Sequence, residues 1–400
     1  MPQIAIAGAG PTGTTLALLL AQRGISVTLI EAANDFRRVF RGEGLMPSGL
    51  DALEQMGLFS LLNKVPHRQL DAWEITLGRK PLFRVAEPME ANAYPCTLVS
   101  QPPLLETLIA QARTYPEFNF IQGVPVKALL QDEERVTGVQ LGDGREITAE
   151  LVIGADGRNS VVRQRAGLKL DQQPKNWDVL WFKLADSARF VEDNVFHAVA
   201  NGDRSFAIFH GAEEGKLHLA WLLSTDERAE RQPEEWIECF ASISPPWLAK
   251  HFYTHASTLE RPIKLSVVVG CCPRWHCPGV LLLGDAAHPM APIRAQGINV
   301  ALRDVIVVAN YLVPLFHRGA PHGEIDAVLS RIQAEREPEI FRAQKLQAEE
   351  GKQSEKLPKH PALRSLAIQV ARLFRQQVRS SWVKRQREMR NGVTKVKLEV

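Results

Sequence analysis

Two short stretches hold the residue types from which chemistry could be built. Residues 279 to 304 read GVLLLGDAAHPMAPIRAQGINVALRD: an apolar strand ends at Gly284, Asp285 follows, and a proline-containing loop runs into a helix near Gly297. A carboxylate at the end of a buried strand is costly unless it accepts hydrogen bonds from a ligand or from backbone, and a ribityl chain offers hydroxyl donors. The helix start around Ala295 to Asn299 offers backbone N–H groups to another electron-rich ligand edge. At the other end of the chain, Gly8, Gly10 and Gly13 stand in GAGPTG, the spacing that lets backbone amides cradle a pyrophosphate.

The elements that must position the glycines are legible around them. Residues 3 to 31 read QIAIAGAGPTGTTLALLLAQRGISVTLIE: a β-branched strand, a glycine turn, an apolar helix, a stop at Gly24 and a second strand ending in Glu31. In this βαβ unit Gly8 permits the tight turn, Gly10 admits the pyrophosphate and Gly13 lets helix and strand sit close. Glu31 falls about 20 residues beyond, where a carboxylate takes ribose hydroxyls. The motif alone does not choose FAD over NAD. No GxSxG, HExxH or GxxxxGK[ST] is present, which removes the common hydrolase, metalloprotease and P-loop readings. Cys271, Cys272, His276 and Cys277 lack the paired spacing of a structural zinc site, so no metal is expected.

Composition sets the outer limits. The 400 residues are 45% hydrophobic and 23% charged, an ordinary globular balance with room for two or three domains. A net charge of +3 is too small to suggest nucleic acid. A strand-like run begins at Gln3, leaving no space for a secretory signal, and the longest apolar stretches fall short of the roughly 20 residues of a spanning helix. With five cysteines, an odd number, this pattern reads as cytoplasmic.

At this point the chain resembles the flavoprotein aromatic hydroxylases of the p-hydroxybenzoate hydroxylase fold. The resemblance rests on Gly8, Gly10, Gly13 and Glu31, on GADG at Gly154 to Gly157 followed by Ser160 and Arg163, and on GDAAHP at Gly284 to Pro289 with Pro292, Gly297 and Asn299. It implies an α/β fold: a Rossmann-like FAD-binding domain with an inserted mixed β-sheet substrate domain and C-terminal helices. It implies FAD as cofactor, NADPH or NADH as reductant, and no separate domain for the nicotinamide.

Residue by residue, the resemblance assigns Pro11, Thr12, Ala32, Val126, Asp156, Gly157 and Arg163 to the cofactor beside the motif glycines. It makes Asp285 the contact to the ribose or pyrophosphate and brings Gly297, Ile298 and Asn299 to the pyrimidine end of the ring. Pro292 becomes a rigid wall beside the reacting edge. Gln101 matches a family position against the cofactor, and Arg41 an arginine with cofactor and catalytic roles. One departure stands out: Arg294, followed by Ala295, occupies a place where the family has small residues. It could stabilise anionic reduced flavin, bind an acidic substrate or point to solvent.

The flavin domain is expected in three pieces, 1–70, 98–175 and 272–340, with a substrate domain from 71–97 and 176–271. Trp73 to Val85, Trp177 to Lys183, Ser205 to His210 and Leu217 to Leu223 alternate as strands. Phe206, Ile208 and His210 are expected to share one face, and Leu219, Trp221 and Leu223 another. Trp181, His210 and Trp221 are the substrate candidates.

The reaction implied is hydroxylation of an electron-rich aromatic small molecule by O2 through a flavin C4a-hydroperoxide, in a site that excludes water. Halogenation, isoprenoid reduction and a non-catalytic flavin-bound protein are the alternatives. WDVLW at Trp177 to Trp181 departs from the halogenase WxWxIP pattern.

A basic helical region is expected at 341–400. Gly351 to Val400 holds 13 Lys and Arg against 3 Glu. Leu363, Leu366, Val370, Phe374, Val378 and Trp382 fall on one stripe, so this helix either packs on the core or rests weakly on anionic membrane.

Overall fold

The computed structural model describes residues 3–37, 43–174, 177–224, 227–354 and 360–400. Strands Ile4–Ala7, Val27–Glu31, Phe118–Gln122, Leu151–Gly154 and Val280–Leu282 form a parallel sheet, extended by an antiparallel edge at His276–Cys277. Ile4–Ala7 lies between Leu151–Gly154 and Val27–Glu31. These strands are apolar on both sides because both faces are covered: helices lie on one, and on the other the three-stranded sheet of Val126–Asp132, Arg135–Leu141 and Glu146–Thr148 packs Val136, Val139 and Leu141 against Ala5, Val152 and Leu282. The helix Pro11–Ala21 is buried almost throughout, packing against Gln296–His317.

Gln296–His317 corrects the expectation that no apolar stretch is long enough to span a bilayer. The segment Ile293–His317 meets that test by length and composition, yet 78% of its apolar window is buried inside the protein. It is a core helix. Its polar residues are satisfied by the next helix, His322–Ser354: Arg303 pairs with Glu339 at 3.0 Å, and Arg336 pairs with Asp304 at 2.7 Å and also with Glu339. His288 approaches Asp304 at 2.9 Å. The 322–354 helix runs through the boundary expected at residue 340.

A second, seven-stranded sheet runs in the order Ile263–Leu265, Trp177–Ala185, Lys216–Ser224, Arg204–His210, Val195–Asn201, Ala72–Leu77, Lys80–Ala86. Its far face packs on helices Pro233–Ile243 and Pro246–Thr254 through Phe182, Phe206, Trp221, Trp236 and Phe240. Its near face, with Trp73, Trp181 and Phe209, meets Met46 and Leu98 of the flavin-type domain and Trp382.

Register corrects the face assignment. Phe206 stands opposite Trp221 and Ile208 opposite Leu219. Residues directly opposed in antiparallel strands point the same way, so the two sets share one face.

The C-terminal stripe is likewise not one helix. It breaks at Phe374 into Pro361–Leu373 and Arg375–Asn391. The second piece covers the Lys80–Ala86 strand, and Trp382 packs on Trp73 and Phe83 with ring centroids 6.4 and 5.7 Å away.

Candidate functional site

The first glycine turn is built by close approach. Gly8 has φ +98°, and a Cβ there would lie 2.5 Å from the carbonyl oxygen of Ala155. At Gly13 a Cβ would lie 2.0 Å from the oxygen of Gly8, so helix and turn touch only because Gly13 lacks a side chain. A Cβ on Gly10 would meet nothing within 4 Å. The turn is therefore tight behind and open in front. Gly10 also caps the Pro11–Ala21 helix without a side-chain hydrogen bond, leaving first-turn amides facing the opening. Glu31 braces the turn: its carboxylate accepts from the amides of Ala9 and Ala33, each at 2.8 Å.

In front of this turn lies a cleft of about 170 Å³ that gathers the motifs. Gly10, Pro11 and Thr12 form one wall; Gln101, Gly157 and Asp285 stand along it; Pro292, Gly297 and Ile298 form its far end. Gly284 joins the two motifs, since a Cβ there would press to 2.6 Å from the Thr12 hydroxyl. Asp285 is half-buried and makes no side-chain hydrogen bond to any described residue.

The remaining sequence-derived residues stand elsewhere. Asp156 turns away and caps the helix Val161–Arg165, accepting from the Val161 and Val162 amides at 2.7 and 3.1 Å and from the Ser160 hydroxyl. Arg163 is buried beneath the second motif, donating to the carbonyls of Ala286 at 2.8 Å and Arg158 at 2.7 Å. The Asn299 side chain accepts from the Met46 amide at 2.8 Å and donates to the carbonyls of Gly44 and Ala295. Val126 is core, and Ala32 lies outside the cleft lining. Arg41 lies outside the described residues.

Of the substrate candidates, Trp221 is fully buried on the far face of the sheet. His210 is held there between Asp186, at 2.7 Å, and the Gly211 carbonyl, at 2.8 Å. Trp181 alone is on the near face, edge-on to Phe209 and His218.

Arg294 does not point to solvent: its side chain is 9% exposed. It and Ala295 both have positive φ, 57° and 49°, a conformation uncommon for residues with a side chain. Its guanidinium sits over Trp73 at 4.7 Å and over Trp382 at 5.0 Å, and pairs with Glu350 at 2.7 Å. These contacts, worth more when desolvated, hold the left-handed turn that starts the 296–317 helix at the cleft.

Sequence reasoning missed three parts of the site. Leu265 to Val268 closes the cleft opposite the glycine turn and carries no motif. Arg158 lines the cleft and donates to the Ser266 carbonyl, joining the two walls; its place directly after GADG was the available signal. The third is a buried acid at the seam of the two domains. Glu43 lies 3.9 Å from His218 and accepts from the Ala212 amide at 3.3 Å. Gly44, next to it, packs against Ala295 of the cleft wall.

Burial, with the Glu213 charge in support, pushes the Glu43 carboxyl up to about 7. Burial, with Lys183, pushes His218 down to about 3. The pair is therefore not an ion pair at neutral pH, and Glu43 is poised to hold or release a proton there.

The cleft fits FAD. An open glycine turn at a helix N-terminus takes a pyrophosphate, an unengaged aspartate takes hydroxyl donors, and the Gly297–Ile298 backbone faces the far end. Comparison with known proteins agrees. Residues 1–338 match the FAD binding domain family. The chain is 32% identical over 357 residues to 6-methylpretetramide 4-monooxygenase of Streptomyces rimosus, covering 86% of this chain and 82% of that protein. It is 28% identical to 3-demethoxyubiquinol 3-hydroxylase of Escherichia coli, covering 85% and 86%.

Among solved structures, PqsL of P. aeruginosa in complex with 2-aminobenzoylacetate superposes with a TM-score of 0.77 at 21% identity, over 89% of this chain and 97% of that one. The p-nitrophenol 4-monooxygenase PnpA of Pseudomonas putida gives 0.78 at 18%, over 99% of both. The chain belongs to the FAD-binding family of flavoprotein monooxygenases of the aromatic-hydroxylase type, and FAD is its cofactor.

Proposed function

We propose that this enzyme hydroxylates an aromatic or similarly electron-rich small molecule, using O2 and NAD(P)H. The observation that carries the reading is the cleft, where the phosphate-type turn, Asp285 and the Pro292 loop converge on one volume. Relatives named as a monooxygenase of 6-methylpretetramide and a hydroxylase of 3-demethoxyubiquinol point to the same chemistry. Gly10 and Thr12, on either side of Pro11, hold the pyrophosphate by backbone amides, Asp285 takes the ribose or ribityl hydroxyls, and Gly297 and Ile298 meet the pyrimidine edge. Bound FAD supplies the redox chemistry, carrying electrons from NAD(P)H to O2 so that one oxygen atom enters the substrate and the other leaves as water.

The protein's task is to orient the ring and exclude water. The test is NAD(P)H oxidation with O2 uptake, screened against phenols, quinolines and polyketide-like aromatics, with mass analysis of products. Stoichiometric consumption with one oxygen atom added to a ring supports the reading. A protein that releases no FAD on denaturation and takes none up overturns it.

A weak peripheral membrane contact belongs to the same proposal. On the Pro361–Leu373 helix and its cap, Leu363, Leu366, Val370, Leu373 and Phe374 are about half or more exposed, with Arg375 beside them. An apolar stripe with basic flanks suits an anionic leaflet. Salt-sensitive co-sedimentation with anionic vesicles, lost on truncation after Pro358, supports it; no binding at low salt ends it.

A further inference from the structure

The turn that shapes the far end of the flavin cleft is gripped from behind by chain that does not line the cleft. Ala295, Gly297 and Ile298 line it, and Arg294 and Gln296, which alternate with them, do not. Arg294 and Ala295 are consecutive residues with positive φ, 57° and 49°, and Ala295 caps the 296–317 helix. A residue with a side chain keeps that conformation only where its surroundings over-determine it. Neither residue is glycine, so the hold has to come from contacts.

Those contacts come largely from beyond residue 338, where the match to the FAD binding domain family ends. The Arg294 guanidinium lies over the Trp382 ring and donates to Glu350, whose other carboxylate oxygen accepts from Gln386 at 3.2 Å. Burial alone would raise the Glu350 carboxyl; Arg294, with Arg385 and Gln386, holds it below its ordinary value instead, so the pair is ionic. On the other side of Ala295, the Gln296 amide donates to the Met389 carbonyl at 2.8 Å and to the Arg294 carbonyl at 3.0 Å. Trp382, Gln386 and Met389 stand at i, i+4 and i+7 of the Arg375–Asn391 helix, so one face of that helix carries all three holds. The substrate sheet completes the seat: its Trp73 ring lies 4.7 Å from the guanidinium, and Arg390 fixes the helix beside that sheet by donating to Glu87 at 2.7 Å.

We propose that the Arg375–Asn391 helix is a working part of the flavin site, with Arg294 and Trp382 as positioning residues. The helix holds the 294–295 turn in its left-handed form, and that turn sets where the Gly297 and Ile298 amides meet the flavin. The inference rests on the FAD reading of the cleft and makes no use of the substrate. First-turn amides favour negative charge, so a turn that relaxes carries them off the pyrimidine edge and weakens both FAD binding and retention of the electrons FAD accepts.

The test compares folded variants, checked by circular dichroism, through FAD titration of the apoprotein and the reduction potential of the bound flavin. Arg294→Leu removes the hold and leaves a residue that disfavours positive φ; Arg294→Gly removes the hold but accepts the left-handed form. Expected is FAD affinity lower by about fivefold or more in Arg294→Leu, with a lower reduction potential, and values nearer the parent in Arg294→Gly. Trp382→Leu should follow Arg294→Leu, and Trp382→Phe, which keeps a ring face for the guanidinium, should recover most of the loss. Side chains that only filled space would change unfolding stability and leave affinity and potential untouched. Parent affinity and potential in a folded leucine variant overturn the proposal, and either leucine variant decides alone if the other misfolds. An Arg294→Gly variant that falls as far as Arg294→Leu also overturns it, since the side chain and not the turn would then be the agent. A parent apoprotein that takes up no FAD overturns the reading of the cleft and this inference with it; a parent that binds FAD beside unaffected variants overturns this inference alone.

Discussion

Asp156 and Asp285 end neighbouring parallel strands, Leu151–Gly154 and Val280–Leu282, and stand on the same side of one sheet. Asp156 accepts three hydrogen bonds from the start of the helix that follows it; Asp285 accepts none from the described residues and faces the cleft. The same residue type at the same kind of position is thus internal scaffolding in one place and ligand-binding capacity in the other. What separates them is the next turn of chain. After Asp156 a short helix presents its amides to the carboxylate, whereas after Gly284 a short 3-10 turn carries the chain away into the Pro292 loop. Behind the cleft wall, Arg163, Asn299 and the Asp304–Arg336–Glu339 cluster are likewise engaged with one another or with backbone.

The largest expected effect falls on that backing layer. Arg336→Met leaves two buried carboxylates with one cationic partner fewer: Asp304, held below the usual carboxylate range by His288 and Arg336 against its burial, and Glu339, held there by Arg336 and Arg303. Removing one member of a buried ion pair costs roughly 3–5 kcal/mol, and denaturant unfolding of the apoprotein should show a loss of that size. A loss under about 1 kcal/mol would mean that the cluster is not the support described here.

Next is the seam. In the folded chain Glu43 keeps its proton to about pH 7, whereas unfolded it would lose it near 4.5, so its contribution to stability falls as pH rises between those values and is flat above. His218 does the opposite. Neutral in the fold down to about pH 3 and protonated in the unfolded chain below 6.5, it makes stability rise with pH in that window. The two slopes oppose each other between about 4.5 and 6.5, with Glu213, Lys183, Lys216 and the His210 imidazole facing the pair. Glu43→Gln removes one slope, so the variant should gain on the parent as pH rises, by up to about 3 kcal/mol at pH 8. Parallel stability curves from pH 5 to 8 would place the Glu43 proton elsewhere.

Asp285→Ala tests the other side of the comparison. It should weaken FAD binding by at least about tenfold, since a hydrogen bond to a charged group contributes roughly 1.5–3 kcal/mol. Apoprotein stability should stay within about 0.5 kcal/mol, because no described residue relies on that carboxylate. Equilibrium FAD titration of the apoprotein measures the first quantity and denaturant unfolding the second.

How much of this was readable in the sequence follows the distance over which each feature is determined. The glycine turn, its helix and Glu31 form one contiguous unit, and Gly8, Gly10 and Gly13 each do what local sterics require of them. The faces of the seven-stranded sheet were not readable, because alternation shows that Phe206 and Ile208 agree, and Leu219 and Trp221 agree, but only pairing register shows that the two sets agree with each other. Arg294 was unreadable for a longer-range reason: Glu350 and Trp382, which hold it, are 56 and 88 residues away in sequence. Glu43 carries no motif, and its high proton affinity comes from burial at a contact between domains.

The smallest effect should come from Asp156→Ala, and it is the sharpest test of the contrast with Asp285. The substitution removes the acceptor for the Val161 and Val162 amides and for the Ser160 hydroxyl, while Ser160 still caps the Arg163 amide at 2.9 Å. Losing a capping carboxylate costs about 1 kcal/mol, and the surviving Ser160 contact keeps the loss near that value. FAD affinity should change by no more than about twofold, because Ala155 and Gly157 form the cleft wall there and the Asp156 side chain does not. The two aspartate variants should therefore cross over: Asp285→Ala loses cofactor and keeps stability, and Asp156→Ala loses stability and keeps cofactor. If Asp156→Ala loses FAD as strongly as Asp285→Ala does, the carboxylate reaches the cofactor despite its three internal contacts, and engagement within the protein does not mark the boundary of the site.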